Sequence, residues 1–143
     1  MQPRFNLQTI EPNAYQAILG IEVYLESCEL EPALIELIKI RVSQLNGCAY
    51  CIQMHADIAC KQGESEHRIY ALSAWQQSSL FSDQERATLA LTDEVTYISN
   101  SAVRDKTYDN CKRFYSDKVI AQCIMVIVQI NTWNRIALAS KAS

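Results

Sequence analysis

Hydrophobic positions along this chain recur at steps of three and four residues and show no clean alternation at two, so the local period is helical throughout. Leu34, Leu37, Ile38, Arg41 and Leu45 follow that step, and Ile35, Ile40 and Val42 widen the apolar side. Pro32 suits the first turn of this helix. The break at residues 29–31 separates it from an earlier helix expected from near Pro12 to about Cys28. Asn46-Gly47 reads as a stop signal, and Asn46 could equally cap the next helix, expected from about Cys48 to Gln62 with Gly63 as its terminator. Ser65 is the expected cap of a short helix reaching Trp75. Ser82-Asp83-Gln84-Glu85 has the Ser-x-x-Glu form of a capping box, with Ala87, Leu91, Val95 and Ile98 on one face behind it. A sixth helix is expected over about residues 102–115, and Ser116 or Asp117 caps a long last one reaching about Ser140. The pattern predicts an all-α fold of six or seven helices, with no repeat or linker dividing residues 1–143 into more than one domain.

Composition strengthens this picture. Only 3 Gly and 3 Pro occur in 143 residues, too few to punctuate a sandwich or barrel that turns every ten residues or so. The net charge of -3, with basic residues scattered, excludes a basic nucleic-acid groove or an anionic-membrane patch. The most apolar stretch, residues 119–130, carries Gln122 and Gln129 and is too short to span a bilayer, so it reads as a buried core helix. The first ten residues lack the apolar core of a signal peptide, and the expected location is cytoplasmic. Six cysteines in a reducing compartment do not read as a disulfide framework; most should be small buried hydrophobes.

The exception is the pair Cys48 and Cys51. On a helix, Cys48, Cys51 and His55 fall within roughly a 60° sector at about 100° per residue, so a thiol and a proton acceptor share one face. A cysteine in the first turn sees free N–H groups and the positive end of the helix dipole, which favour the nucleophilic thiolate. Such a thiolate suits attack on a peroxide or a disulfide, a second thiol then closing an intramolecular disulfide. His55 can take or return a proton near neutrality. Two other readings stand beside this one. The pair could be half of a zinc site with His55 or Cys60, although Cys60 lies about 180° round the helix from Cys51 and His67 lies beyond Gly63. The cysteines could also be core residues by coincidence. Cys28, Cys60, Cys111 and Cys123 read as structural. Trp75, Trp133 and the tyrosines read as core or subunit contacts. Taken alone, Glu36, three residues before Lys39, reads as a partner in a solvated surface ion pair.

The spacing Glu36-x11-Cys48-x2-Cys51-x3-His55 resembles the alkylhydroperoxidase AhpD-like family of the carboxymuconolactone decarboxylase superfamily. The words KIRVSQLNGCAYC, ERATLALTDEVT and INTWNRIALAS are similar too, so the resemblance runs from about Leu30 onward. It implies an all-helical fold assembled as homotrimers or homohexamers. It also implies thiol peroxidase or disulfide reductase activity on hydroperoxides, with an external dithiol or redox protein as reductant and no bound cofactor or metal. Cys48 and Cys51 would be the redox pair and Glu36 and His55 the proton relay, with Cys51 preferred as the attacking thiol. Tyr50 stands where the best-characterised branch has a further relay histidine, and a phenol is a poor base near neutrality. A redox adaptor, a lactone-directed acid–base enzyme using Glu36 and His55, and a zinc-stabilised module remain the alternatives.

Overall fold

In the computed structural model, which describes residues 2–142, the chain forms α1 (Leu7–Ile10), α2 (Pro12–Leu25), α3 (Pro32–Asn46), α4 (Ala49–Lys61), α5 (Glu66–Ala71), a 3₁₀ helix (Leu72–Gln77), α6 (Asp83–Thr96), α7 (Asp105–Lys112) and α8 (Asp117–Ser140). Among the described residues there is no β-strand, and no helix is long and apolar enough to cross a membrane. The fold is all-α.

The central element is α3, which packs against α4, α6 and α8. One side of it, Leu34, Ile38 and Val42, joins Ala87 and Leu91 of α6 and Ile120, Cys123, Val126, Ile127 and Ile130 of α8. The other side, Leu37 and Ile40, joins Ala59 of α4, Leu72, Trp75, Phe81 and Leu89. A helix apolar on both sides is enclosed by its neighbours. Full burial of Leu37, Ile38 and Ile40 stabilises the fold by about 1.5–3 kcal/mol each, as an upper estimate. The same enclosure forces the polar residues of α3 inside: Glu36, Arg41 and Ser43 are all buried.

The end signals act largely as the sequence predicts. Ser82 and Glu85 form the reciprocal capping box of α6, and Ser116 caps α8 through the Val119 N–H. Gly47, at φ 71, ends α3 in the left-handed region, where a side chain is strained. Its N–H donates to Gln44 O, and the next N–H, of Cys48, donates back to Ser43 O at 3.0 Å. This is a Schellman closure that leads directly into α4. The cap of α4 is Cys48, not Asn46: the Cys51 N–H donates to Cys48 Sγ at 3.4 Å.

Several boundaries differ from the sequence reading. The short α1 was not anticipated, and α2 stops at Leu25, before Cys28. The helix expected to run to Trp75 breaks into α5 and the 3₁₀ turn, with non-helical dihedrals at Ala74. Arg41 takes the Ser73 carbonyl, and Arg86 takes those of Trp75, Gln76 and Ser78, so guanidinium donors replace helical N–H partners. The helix expected from residue 102 begins at Asp105, because Glu94 takes the Arg104 N–H and side chain first. Trp75, read as a core or subunit contact, is buried in the second core, where its indole N–H donates to Asp93.

Candidate active site

Cys48 and Cys51 are joined by a disulfide across the first turn of α4, with their Cα atoms 5.3 Å apart. Both are buried, and Cys51 lines the cleft described below. The helix supplies the local reason: with Cys48 at the cap and Cys51 in the first turn, the two Cβ atoms lie on one side of α4. His55, one turn further along, lines the same cleft as Cys51 and is itself buried.

Behind His55 lies Glu36. Its Oε2 is 2.8 Å from His55 Nδ1, the carboxylate accepting and the ring nitrogen donating, and both side chains are more than nine-tenths buried. In a neutral imidazole this fixes Nδ1 as the protonated nitrogen and leaves Nε2 as the base. Glu36 is therefore no surface partner of Lys39. Their nearest atoms are 4.0 Å apart, and Lys39 stands between Glu36 and Glu22, the latter at 3.8 Å. Glu22 in turn accepts from Trp133 Nε1 at 2.8 Å and from Gln129 Nε2 at 3.1 Å. One polar wall thus runs from α2 through α8 and α3 to α4.

The cleft as a whole has a volume of about 610 Å³, and the rest of its lining is mainly apolar. Leu19, Met54, Ile130 and Ile136 contribute aliphatic walls, and Tyr15 packs edge-on against Trp133 with ring centroids 5.6 Å apart. Pro3, Phe5 and Leu7 lie across it in an N-terminal strap that Arg4 ties to the end of α8 by bonds to Ser140 O and Ala139 O. Tyr50, between the two cysteines, lies at the cleft and is 45% exposed. Glu22, Tyr15 and the cleft-facing part of Trp133 were not singled out as site residues from sequence. Their only local signal was a place on an amphipathic helix, and their partners lie far along the chain.

The other cysteines are placed apart from this cleft. Burial pushes the Cys111 thiol up to about 11, with a smaller contribution from the Glu94 charge, and burial chiefly lifts Cys123 to about 12. Both stay protonated at neutral pH. Cys28 is half-buried and Cys60 is exposed. Among the described residues, no group of three or more His, Cys, Asp or Glu side chains is placed to hold a metal ion.

An all-helical fold with a Cys-x-x-Cys disulfide at a helix start defines a class, and comparison with known proteins agrees with it. The chain belongs to the carboxymuconolactone decarboxylase family, whose pattern matches residues 12–94, and its fold is that of the AhpD-like members. YdfG of Bacillus subtilis (strain 168), an uncharacterized protein, is 39% identical over 139 residues, covering 97% of this chain and 95% of that one. A protein of unknown function from Agrobacterium tumefaciens, ATU0492, suggested to be the antioxidant defence protein AhpD, superposes with a TM-score of 0.96 at 37% identity, over 99% of this chain and 97% of that one. The AhpD-core, peroxidase-related protein of Ralstonia eutropha JMP134 shares the fold alone, with a TM-score of 0.84 at 16% identity over 95% of this chain and 73% of that one.

Proposed function

We propose that this protein is a thiol-dependent peroxidase that reduces organic hydroperoxides at Cys51. The observation carrying this reading is that Cys51 and His55 line one apolar cleft, while Glu36 is bonded to the imidazole from behind and Cys48 lies within disulfide reach. His55 Nε2 takes the Cys51 proton, and the thiolate attacks the outer peroxide oxygen. The O–O bond breaks, Cys51 becomes a sulfenic acid, and the departing alkoxide takes the proton back from His55 to leave as the alcohol. Cys48 thiol then displaces water from the sulfenic acid, forming the disulfide. An external dithiol restores both thiols and is itself oxidised to a disulfide. The mainly apolar lining favours a hydroperoxide with a hydrocarbon body.

The adaptor reading uses the same disulfide but needs a sulfur that a partner protein can reach. Both cysteines are only 2% exposed, which favours substrates small enough to enter the cleft. The free thiols elsewhere suit a reducing compartment such as the cytoplasm. Exposed Val23, Val128 and Leu138, together with the family likeness, favour a homotrimer or homohexamer; light scattering at the single-chain mass of 16.2 kDa would refute this.

The decisive experiment treats the reduced protein with an organic hydroperoxide and follows turnover with a small dithiol, while mass spectrometry maps the oxidised residues. Turnover, a Cys48–Cys51 disulfide in the wild type and a sulfenic acid at Cys51 in Cys48→Ser support the reading. A disulfide formed without peroxide turnover points to the adaptor, and first oxidation at Cys28 or Cys60 removes the assignment.

A further inference from the structure

A polar knot lies directly beneath the turn that carries Cys48, and the reaction above makes no use of it. Asn134 of α8 is fully buried; its Nδ2 donates to Ser43 Oγ at 3.1 Å and its Oδ1 accepts from Asn46 Nδ2 at 3.0 Å. Asn46 Nδ2 also donates to Asn131 Oδ1 at 2.9 Å, and Asn131 Nδ2 reaches Thr96 Oγ1 of α6 and Ile127 O. Ser43 is held from its other side, its hydroxyl donating to Lys39 O at 2.7 Å. Both residues that Asn134 grips are parts of the redox turn. Ser43 supplies the carbonyl that fixes the Cys48 N–H, and Asn46 is the last helical residue before Gly47 and Cys48.

Five amide and hydroxyl side chains thus occupy a helix crossing where apolar residues would pack without needing partners. A buried polar network of this kind specifies a single geometry more than it adds stability. Here the geometry specified is that of the 46–48 turn. Two of the three helices clamped together, α3 and α8, share no covalent neighbour at this point, so the turn is anchored to the body of the fold and not only to its own helix.

We propose that Asn134, acting with Asn46 and Asn131, is a positioning residue for Cys48: it holds the reduced thiol where it can close onto Cys51. The proposal rests on the reading that Cys48 and Cys51 cycle between dithiol and disulfide. In the closing step, the Cys48 sulfur bonds to the Cys51 sulfur of the sulfenic acid and water leaves. In the equilibrium with glutathione, two glutathione thiols reduce the protein disulfide and become glutathione disulfide. Releasing the clamp frees the turn in the dithiol state more than in the already cross-linked disulfide. The dithiol state is therefore favoured, and closure slows.

The test uses the full chain with Asn134→Ala and, as a milder lesion at a half-buried position, Asn46→Ala. For each, the Cys48–Cys51 dithiol–disulfide equilibrium is measured in glutathione buffers, with the closing rate of the Cys51 sulfenic acid and the thermal midpoint. Leu89→Ala, in the other core, serves as a destabilised control. The expected result is about a tenfold shift toward the dithiol, the scale of one lost buried hydrogen bond, or about 30 mV. Closure should slow by a similar factor, while the first oxidation of Cys51, measured in a Cys48→Ser background, stays unchanged. Leu89→Ala should lower the midpoint and leave the equilibrium alone. If both asparagine variants lower the midpoint yet keep the wild-type equilibrium and closing rate, the knot is structural only and the proposal fails. If Asn134→Ala does not fold, Asn46→Ala alone decides by the same criterion. If the wild-type pair does not cycle at all, it is the peroxidase reading that fails.

Discussion

Replacing Glu36 with glutamine removes a charge from the site while preserving its shape. In the folded protein the carboxylate sits 2.8 Å from His55 Nδ1, both groups almost fully buried. The amide oxygen of glutamine can still accept that N–H, so the imidazole keeps its orientation. What disappears is the charge assistance, which makes such a bond roughly twice as strong as a neutral one, a difference of about 1.5 kcal/mol. Since about 1.36 kcal/mol is a factor of ten in rate, Cys51 oxidation should slow about tenfold from this alone. If the carboxylate also shares the transferred proton through the ring, the loss reaches about 10², the lower end of a general-base contribution. The thermal midpoint should move little, because glutamine also avoids the cost of burying a carboxylate, which offsets the weaker bond in the resting fold. The assay is stopped-flow oxidation of the reduced protein between about pH 6 and 9, which brackets ordinary His and Cys titration, paired with thermal unfolding. A lowered midpoint with an unchanged rate profile would refute the relay and make Glu36–His55 a structural pair holding α3 to α4.

Two further outcomes concern stability. Arg41, buried in α3, makes a bidentate pair with Asp93 of α6, which also accepts from Trp75. Asp93→Asn strands a buried guanidinium, and urea unfolding should show a loss of about 3 kcal/mol, the low end for a broken buried pair; a change of a few tenths would mean that water solvates Arg41. The second outcome follows from acidic titration. Burial acts to raise the Glu85 and Glu94 carboxyls, but hydrogen bonds and charge from Arg68 and Ser82 at the first, and from Arg104 and Thr107 at the second, outweigh it and hold both below the ordinary carboxylate value. Their stabilisation is therefore fully present above the unfolded value of about 4.3 and is lost as pH falls through the lower folded value. Glu85→Gln should flatten the acid limb of the midpoint-against-pH curve, and an acid limb as steep as in the wild type would contradict this.

How much of this was readable in advance depends on the range over which each feature is decided. The capping box at Ser82–Glu85, the Ser116 cap and the Gly47 stop are local, since each is satisfied by atoms a few residues away. The Cys48, Cys51 and His55 face is local as well, because one helix places all three. The break at Ala74 was not legible, because it depends on Arg41 and Arg86 reaching in from other helices for its carbonyls.

Glu36 marks the boundary most clearly. Along the chain it stands three residues from Lys39, as a surface ion pair would. Only the packing of α3 against α4, α6 and α8 removes the solvent from that position and turns the carboxylate toward His55. Sequence alone determined the helical period, the ends marked by Ser82, Ser116 and Gly47, and the closeness of Cys48 to Cys51, because hydrogen bonds and side-chain periodicity within a turn are short-range. Tertiary structure decided which face of α3 had water on it, which residues of α2 and α8 closed the cleft, and which asparagines met beneath Cys48. Those outcomes depend on helices separated by tens of residues arriving at one place, and burial, which sets the strength of every charge in the site, exists only once they have arrived.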